Sequence, residues 1–312
     1  MPDIVAMFFV LGVVSGLMKS DLNLPKAAYE TLSLLLMLTI GLKGGMALHG
    51  NFSTGLLIEM LLVLALGFAI PLLLLPLLKF VVGLSSVNSI SLAAHYGSVS
   101  AGTFAVALAY TMTHQLETGG QVTLYLVLLE LPALLVALTV YQMSQSQKGD
   151  FRIKNLLHET FTNRSVVLLV GGMVIGALYG HDSGAQVTQL LMGSFAVVLA
   201  LFLLEMGLVA SESLRNVRWH YWRVILFALL APIALSFAGI FAAQLLGLPE
   251  GSALILAALT ASASYIAAPV AIRNAIPEAD IGLAMLASLG VTFPFNVLIG
   301  IPMYHQIIHW LA

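Results

Sequence analysis

Long apolar stretches alternate with short polar ones along almost the whole chain. A helix needs about 20 apolar residues to cross the hydrocarbon core of a bilayer, so this pattern predicts an all-α polytopic membrane protein. It predicts ten transmembrane helices. These are residues 3–18, 29–48, 54–80, 87–112, 122–143, 164–180, 186–208, 221–246, 252–275 and 280–310.

The composition supports a lipid environment and excludes several classes of function. Of the 312 residues 60% are hydrophobic and only 8% charged, against roughly 25% charged in soluble domains. The absence of cysteine excludes disulfides, thiolate metal sites and cysteine nucleophiles. No basic run suggests nucleic acid, and no nucleophile elbow, zinc motif or phosphate loop is present, so we expect neither catalysis nor a cofactor.

The basic residues predict the orientation. If the N-terminus is outside, the odd-numbered connections are cytoplasmic and hold eleven of the twelve Lys and Arg residues. This bias predicts that both termini face outside across a bacterial inner membrane. No basic segment precedes the first apolar stretch, so we expect it to be a retained span and not a signal peptide.

Recurring glycines and prolines suggest an internal repeat with an offset of about 161 residues. The chain then divides into residues 1–143, a cytoplasmic linker 144–163, and residues 164–312. Each half has five spans, an odd number, so the repeats are inverted, which is typical of secondary transporters. The alternative is chance recurrence of residues common in any membrane protein. The matched pairs are Gly12 with Gly172, Gly16 with Gly176, Pro71 with Pro232 and Pro132 with Pro294.

The fourth and ninth spans both carry small polar residues at their centres, 94–103 and 260–269. Such runs favour interrupted helices, whose free N–H groups and positive dipole ends bind small anions. The alternative is that small residues only allow close helix packing. The candidate substrate-binding residues are Ser98, Ser100, Gly102, Thr103, Ser262, Ala263 and Ser264.

Three ionisable residues within the spans are candidates for function. Glu130 lies near the centre of the fifth span, where a charge costs roughly 2.5–3.5 kcal/mol, and we expect it to be functional or a pH-sensitive structural partner. Lys43 is either functional or snorkels to the interface. His95 is more consistent with packing, although it is the only candidate base for an intramembrane hydrolase that uses Ser98 or Ser262.

Residues 38–47, 97–103, 131–133 and 271–277 together resemble the sodium-dependent bicarbonate transporter family typified by cyanobacteria. The resemblance covers nearly the whole chain. It implies core and gate domains, a homotrimer, and elevator-like movement of a bicarbonate site formed by the fourth and ninth spans. It also implies sodium as the coupling ion.

The chain departs from the family pattern at two positions. Tyr265 stands where the family motif has an acid, and Lys43 stands where the cyanobacterial pattern has an uncharged Thr. Both changes disfavour a bound cation. Our hypothesis is that sodium coupling is altered or absent, or that Glu130 supplies proton coupling. The cation-coupling candidates are therefore Glu130, Tyr265 and Lys43.

The linker 144–163 is shorter than usual for the family, which argues against a PII-like regulator docking there.

The sequence therefore predicts a secondary transporter that imports a small inorganic anion. Bicarbonate is the first candidate for the substrate, and sodium is the default coupling ion. Another small anion or a carboxylate, with proton coupling or none, is the alternative within transport. The alternative from another class is the intramembrane hydrolase.

Overall fold

The computed structural model of the chain describes residues 4–50, 54–144, 162, 164–181, 185–215 and 221–311. These residues form helices and contain no strand, as predicted. The linker predicted at 144–163 lies almost entirely outside the described residues. In chain order the helices are α1 (Ile4–Leu17), α2 (Lys26–Leu48), α3 (Thr54–Pro76, continued by π-helical Leu77–Val82), α4 (Ser86–Gly97), α5 (Ala101–Thr113), α6 (Val122–Ser144), α7 (Arg164–Tyr179), α8 (Ala185–Arg215), α9 (Trp222–Leu245), α10 (Glu250–Thr260), α11 (Ala267–Ala275) and α12 (Ile281–Leu311).

Among the described residues, seven helical segments are long and apolar enough to cross a membrane, with the broken fourth span Ser86–Thr113 counted as one of them. Three shorter apolar helices, Ile4–Leu17, Val166–Tyr179 and Glu250–Thr260, coincide with the predicted first, sixth and ninth spans. Large apolar side chains such as Leu73, 71% exposed, and Phe80, 77% exposed, cover the outside. Such a surface suits lipid. The chain is a multi-pass membrane protein, while the count of ten spans and their orientation stay predictions.

Two pairs of helices pack with their backbones in close contact. In the pair α1 and α8, a Cβ on Gly12 would collide with the Leu204 carbonyl oxygen. In the pair α2 and α7, a Cβ on Gly41 would collide with the Leu169 carbonyl oxygen. Small residues at such contacts let membrane helices approach each other. Each pair joins one helix from before the linker to one from after it.

The remaining helices surround the centres of the broken spans. Helices α3 and α6 pack on each other and on α4, while α9 packs on α10 and α12. Pro71 on α3 lies against Gly97 at the end of α4, where a side chain on residue 97 would overlap it. These contacts enclose the ends of the half-helices in protein.

Proline disturbs the regular α-helical geometry of α3 and α12. Helix α3 changes to wide π-helical turns directly after Pro76, and α12 contains two such segments, Leu286–Thr292 and Asn296–Gly300. Pro294 lies between these two segments and Pro302 follows the second. A proline donates no backbone hydrogen bond, so the regular α-helical ladder cannot run through it.

Candidate substrate site

The fourth span breaks at the predicted polar run. Helix α4 ends at Gly97, Ser98 and Ser100 have extended backbones, and α5 begins at Ala101. The Ser100 hydroxyl accepts a hydrogen bond from the Thr103 N–H at 3.0 Å. A serine in this position caps the new helix, because it satisfies an N–H group that has no partner within the helix.

The ninth span also breaks, over a longer segment. Helix α10 ends at Thr260 and α11 begins at Ala267. The Ser264 hydroxyl accepts from the Ala268 N–H at 3.2 Å. Pro269 lies in the first turn of α11, where its missing N–H costs no helical hydrogen bond.

The two breaks contact each other by hydrogen bonds in both directions. The Ser100 N–H donates to the Ser262 hydroxyl at 2.9 Å. The Ser264 N–H donates to the His95 carbonyl at 2.7 Å. All four residues are at most 3% exposed. Each break therefore satisfies buried backbone groups of the other.

A cavity of about 30 Å³ lies beside the two breaks. A single water needs roughly 10–15 Å³ on such a measure, while organic ligands occupy pockets of about 300–1,000 Å³. The cavity therefore has the scale of a small ion. Its walls are Met37, Val99, Ser100, Ala101, Leu126, Glu130, Val166, Leu169, Ser264, Tyr265, Ile266 and Ala267.

Glu130 on α6 reaches this cavity together with Ser100 and Ser264. Among the described residues that line it, Glu130 has the only acidic side chain, and no Lys or Arg lines it. The sequence predicts Glu130 to be functional from its depth in the membrane, but not its position beside the broken helices.

Tyr265 joins the second break to the start of α5. Its ring packs edge-on against Phe293, with centroids 5.1 Å apart. Its hydroxyl lies directly over Gly102, so a Cβ on residue 102 would collide with it. Gly102 therefore makes room for the tyrosine that replaces the acid expected from the family resemblance.

Several buried hydroxyls near the breaks have no hydrogen-bond partner among the described residues. They include the Ser98 Oγ and Thr103 Oγ1 atoms, which belong to residues about 1% exposed. An unpaired buried hydroxyl is uncommon and calls for an explanation such as an ion or water. These two predicted residues are near the breaks but do not line the cavity.

The structure separates other predicted residues from the cavity. Ser262 and Ala263 are buried but do not line it. Lys43 lies elsewhere, with its Nζ atom 3.0 Å from the Met112 sulfur.

His95 places Nδ1 2.7 Å from the Ser91 carbonyl oxygen, and its Nε2 has no partner among the described residues. Neither ring nitrogen contacts a serine hydroxyl there, so the geometry gives no support to a hydrolase.

Sequence reasoning missed Asn296, which is fully buried on α12. Its side-chain NH₂ donates to the Ala261 carbonyl at 2.8 Å, and its amide oxygen accepts from the Tyr304 hydroxyl at 2.8 Å. The bond to Ala261 holds the end of α10 beside the second break. A lone amide in the middle of the predicted last span is the signal that could have identified it.

The chain was also compared with known families and proteins. No curated protein matches it. The model of one family matches residues 4–309, nearly the whole chain, and it describes the Na⁺-dependent bicarbonate transporter superfamily. The family predicted from the sequence is thereby confirmed, and the chain belongs to the Na⁺-dependent bicarbonate transporter superfamily.

Proposed function

We propose that this protein is a secondary transporter that imports a small inorganic anion, most simply bicarbonate, across a bacterial inner membrane. One observation carries the proposal: two interrupted helices meet through hydrogen bonds beside an ion-sized cavity. Broken helices at the centre of the membrane are tolerated where they line a cavity, and they are typical of transporter binding sites.

The chemistry of the cavity favours an anion bound by backbone and hydroxyl groups. Helices α5 and α11 begin at its wall, and their N-terminal ends carry partial positive charge. Ser100 and Ser264 add hydroxyls. An anion site of this kind needs no buried cation.

The packing of the helices supports two inverted five-span repeats. The pair of α1 with α8 and the pair of α2 with α7 use glycines in the same way, and each pair joins the first predicted span of one half to the second of the other. Two copies of one unit, related by a twofold axis in the membrane plane, would pair their first and second spans crosswise in this way. The elevator-like movement and the homotrimer come from the family resemblance and belong to the same proposal.

Coupling to a cation is the step at which this chain departs from the resemblance. The neutral Tyr265 leaves Glu130 as the acidic group beside the breaks among the described residues. Glu130 is therefore our candidate for the coupling residue, whether the ion is sodium or a proton. An ionisable group that lines a cavity within a membrane span is by default a candidate for function.

Uptake of labelled bicarbonate into proteoliposomes tests the proposal. The expected result is uptake above that of protein-free liposomes, driven by an inward sodium gradient or by an inward proton gradient. Sodium-driven uptake would show that Tyr265 does not prevent coupling. Proton-driven uptake would assign coupling to Glu130. If correctly folded protein takes up no bicarbonate under either gradient, bicarbonate is not the substrate. Another small anion or a carboxylate then remains as the candidate substrate.

Replacing Glu130 with Gln separates coupling from binding. We expect Glu130→Gln to lose uptake driven by the gradient, while exchange of labelled for unlabelled bicarbonate persists. Glu59→Gln is the control, because Glu59 is a buried carboxylate that lies away from this cavity and bonds to Tyr125. Loss of coupling in the control alone would contradict the role of Glu130.

A further inference from the structure

Lys43 lies at the junction of two larger cavities, apart from the one beside the helix breaks. The first is about 230 Å³ and the second about 430 Å³, and both are lined by Lys43 and Met112. The Lys43 ammonium contacts the Met112 sulfur at 3.0 Å, so this pair stands where the two cavities adjoin. The side chain therefore points to α5, whereas a snorkelling lysine would reach for the lipid head groups.

No carboxylate among the described residues pairs with Lys43. A thioether is a weak hydrogen-bond acceptor, so Met112 compensates little of the ammonium charge. Glu59, on α3, bonds instead to Tyr125 and Gln121 and lines neither cavity. Charged residues within membrane spans are normally paired or face an aqueous cavity. Lys43 thus has positive charge and room for an anion, but no acidic partner in the described part of the chain.

The groups around Lys43 suit a small oxyanion. Thr111 and Thr123 line the smaller cavity, and His181 and Gln189 line the larger one. Hydroxyl, amide and imidazole groups can all donate hydrogen bonds to the oxygens of an anion. Both cavities are several times larger than the one beside the breaks, so an anion can retain part of its hydration shell there.

The same helices line the Lys43 cavities and the cavity beside the breaks. Helix α2 contributes Met37 to the cavity beside the breaks and Lys43 to the larger ones, a separation of about 9 Å along the helix axis at 1.5 Å per residue. Helix α6 likewise contributes Leu126 to the cavity beside the breaks and Val122 to the 230 Å³ cavity. In the orientation predicted by the basic residues, the Lys43 end is the outer one.

We infer that Lys43 forms a recruitment site at which a small monovalent oxyanion from outside binds before it reaches the helix breaks. This inference rests on the proposed function. A positive group beside an access path raises the local concentration of anions and their rate of association. Lys43 then acts on capture and contributes little to the movement across the membrane.

Kinetics of bicarbonate uptake with Lys43 variants test the inference. We expect Lys43→Gln to raise KM about five- to tenfold, to leave the maximal rate unchanged and to weaken the dependence of KM on ionic strength. Lys43→Arg keeps the charge and should restore most of the affinity. Lys26→Gln is the matched control, because Lys26 is a strongly exposed lysine at the opposite end of the same helix. An unchanged KM, or a lower maximal rate with the same KM, would overturn the inference.

A second measurement does not depend on transport. A water-soluble N-hydroxysuccinimide ester acylates accessible lysines, and peptide mass spectrometry gives the rate at each one. Bicarbonate should slow acylation of Lys43 in the purified protein and leave the rate at Lys26 unchanged. If bicarbonate does not protect Lys43, the inference fails even when uptake is normal. If it protects Lys43 while uptake is absent, the proposed function fails and the anion site stands.

Discussion

The break in the fourth span and the break in the ninth differ in how their ends are held. The first covers Ser98 to Ser100, and the serine at its end caps the following helix. The second covers residues 261–266, and its first carbonyl, that of Ala261, bonds to the side chain of Asn296 on α12. A serine hydroxyl thus accepts a hydrogen bond from the following helix at both breaks, and the second break is in addition held by a neighbouring helix.

The helices that follow the breaks differ as well. Helix α5 is buried along most of its length, while the nine-residue α11 carries exposed Val270 and Arg273. Fewer contacts restrain α11, and regions with little buried surface open at lower free-energy cost. We therefore expect the second break to be the more adjustable wall of the cavity and the first to be the rigid one.

Removing the external support of the second break should have the largest effect. Asn296→Leu leaves the Ala261 carbonyl and the Tyr304 hydroxyl without their partner, at a cost of about 2–4 kcal/mol in unfolding free energy. We expect the rate of bicarbonate uptake to fall below a tenth of that of the unchanged protein. Tyr304→Phe is the control, because it removes only the Tyr304 hydroxyl and keeps the bond to Ala261. Thermal unfolding in detergent and uptake together check this, and equal losses in both variants would contradict a special role for the Ala261 bond.

A methyl group placed between the two breaks should have the next largest effect. Gly102→Ala puts a Cβ against the Tyr265 hydroxyl, and overpacking of this kind costs about 1–3 kcal/mol. We expect uptake to fall several-fold. The double variant Gly102→Ala/Tyr265→Phe removes the colliding oxygen and should recover most of the activity. If the double variant is no better than Gly102→Ala alone, the Tyr265 hydroxyl is not what requires glycine at position 102.

Replacing either of two serines in the second break should have the smallest effect on stability, and the two effects should differ in size. Ser262→Ala leaves the Ser100 N–H unpaired in the interior, at a cost of about 1 kcal/mol. Ser264→Ala removes the longer bond to the Ala268 N–H, at a cost of about 0.5 kcal/mol. The thermal midpoint should therefore drop more for Ser262→Ala. The reverse order would mean that the cap of α11 matters more than the contact between the breaks.

Much of this arrangement is predictable from local sequence. The polar runs 94–103 and 260–269 predict both interruptions, because a small polar segment within an apolar span marks a tolerated helix break. Proline residues also stand next to the segments in which α3 and α12 leave regular α-helical geometry. These features depend on residues close together in the chain.

Contacts between distant segments are what the sequence does not predict. Nothing local indicates that Tyr265 lies over Gly102, that Glu130 reaches the same cavity as Ser100, or that Asn296 holds Ala261. The departure from the family pattern places Lys43 among the coupling candidates, yet Lys43 lines different cavities from Glu130. Such pairings follow from three-dimensional packing, which periodicity along one helix does not encode.

Above all, we propose that the cavity beside the two breaks is the anion site. Its most direct test is the experimental structure of the protein with and without bicarbonate, at a concentration that saturates uptake. We predict density that appears only with bicarbonate and lies within hydrogen-bond distance of Ser100 and Ser264, at the starts of α5 and α11. A cavity that stays unchanged at saturating bicarbonate, or density that appears only elsewhere, would contradict the claim.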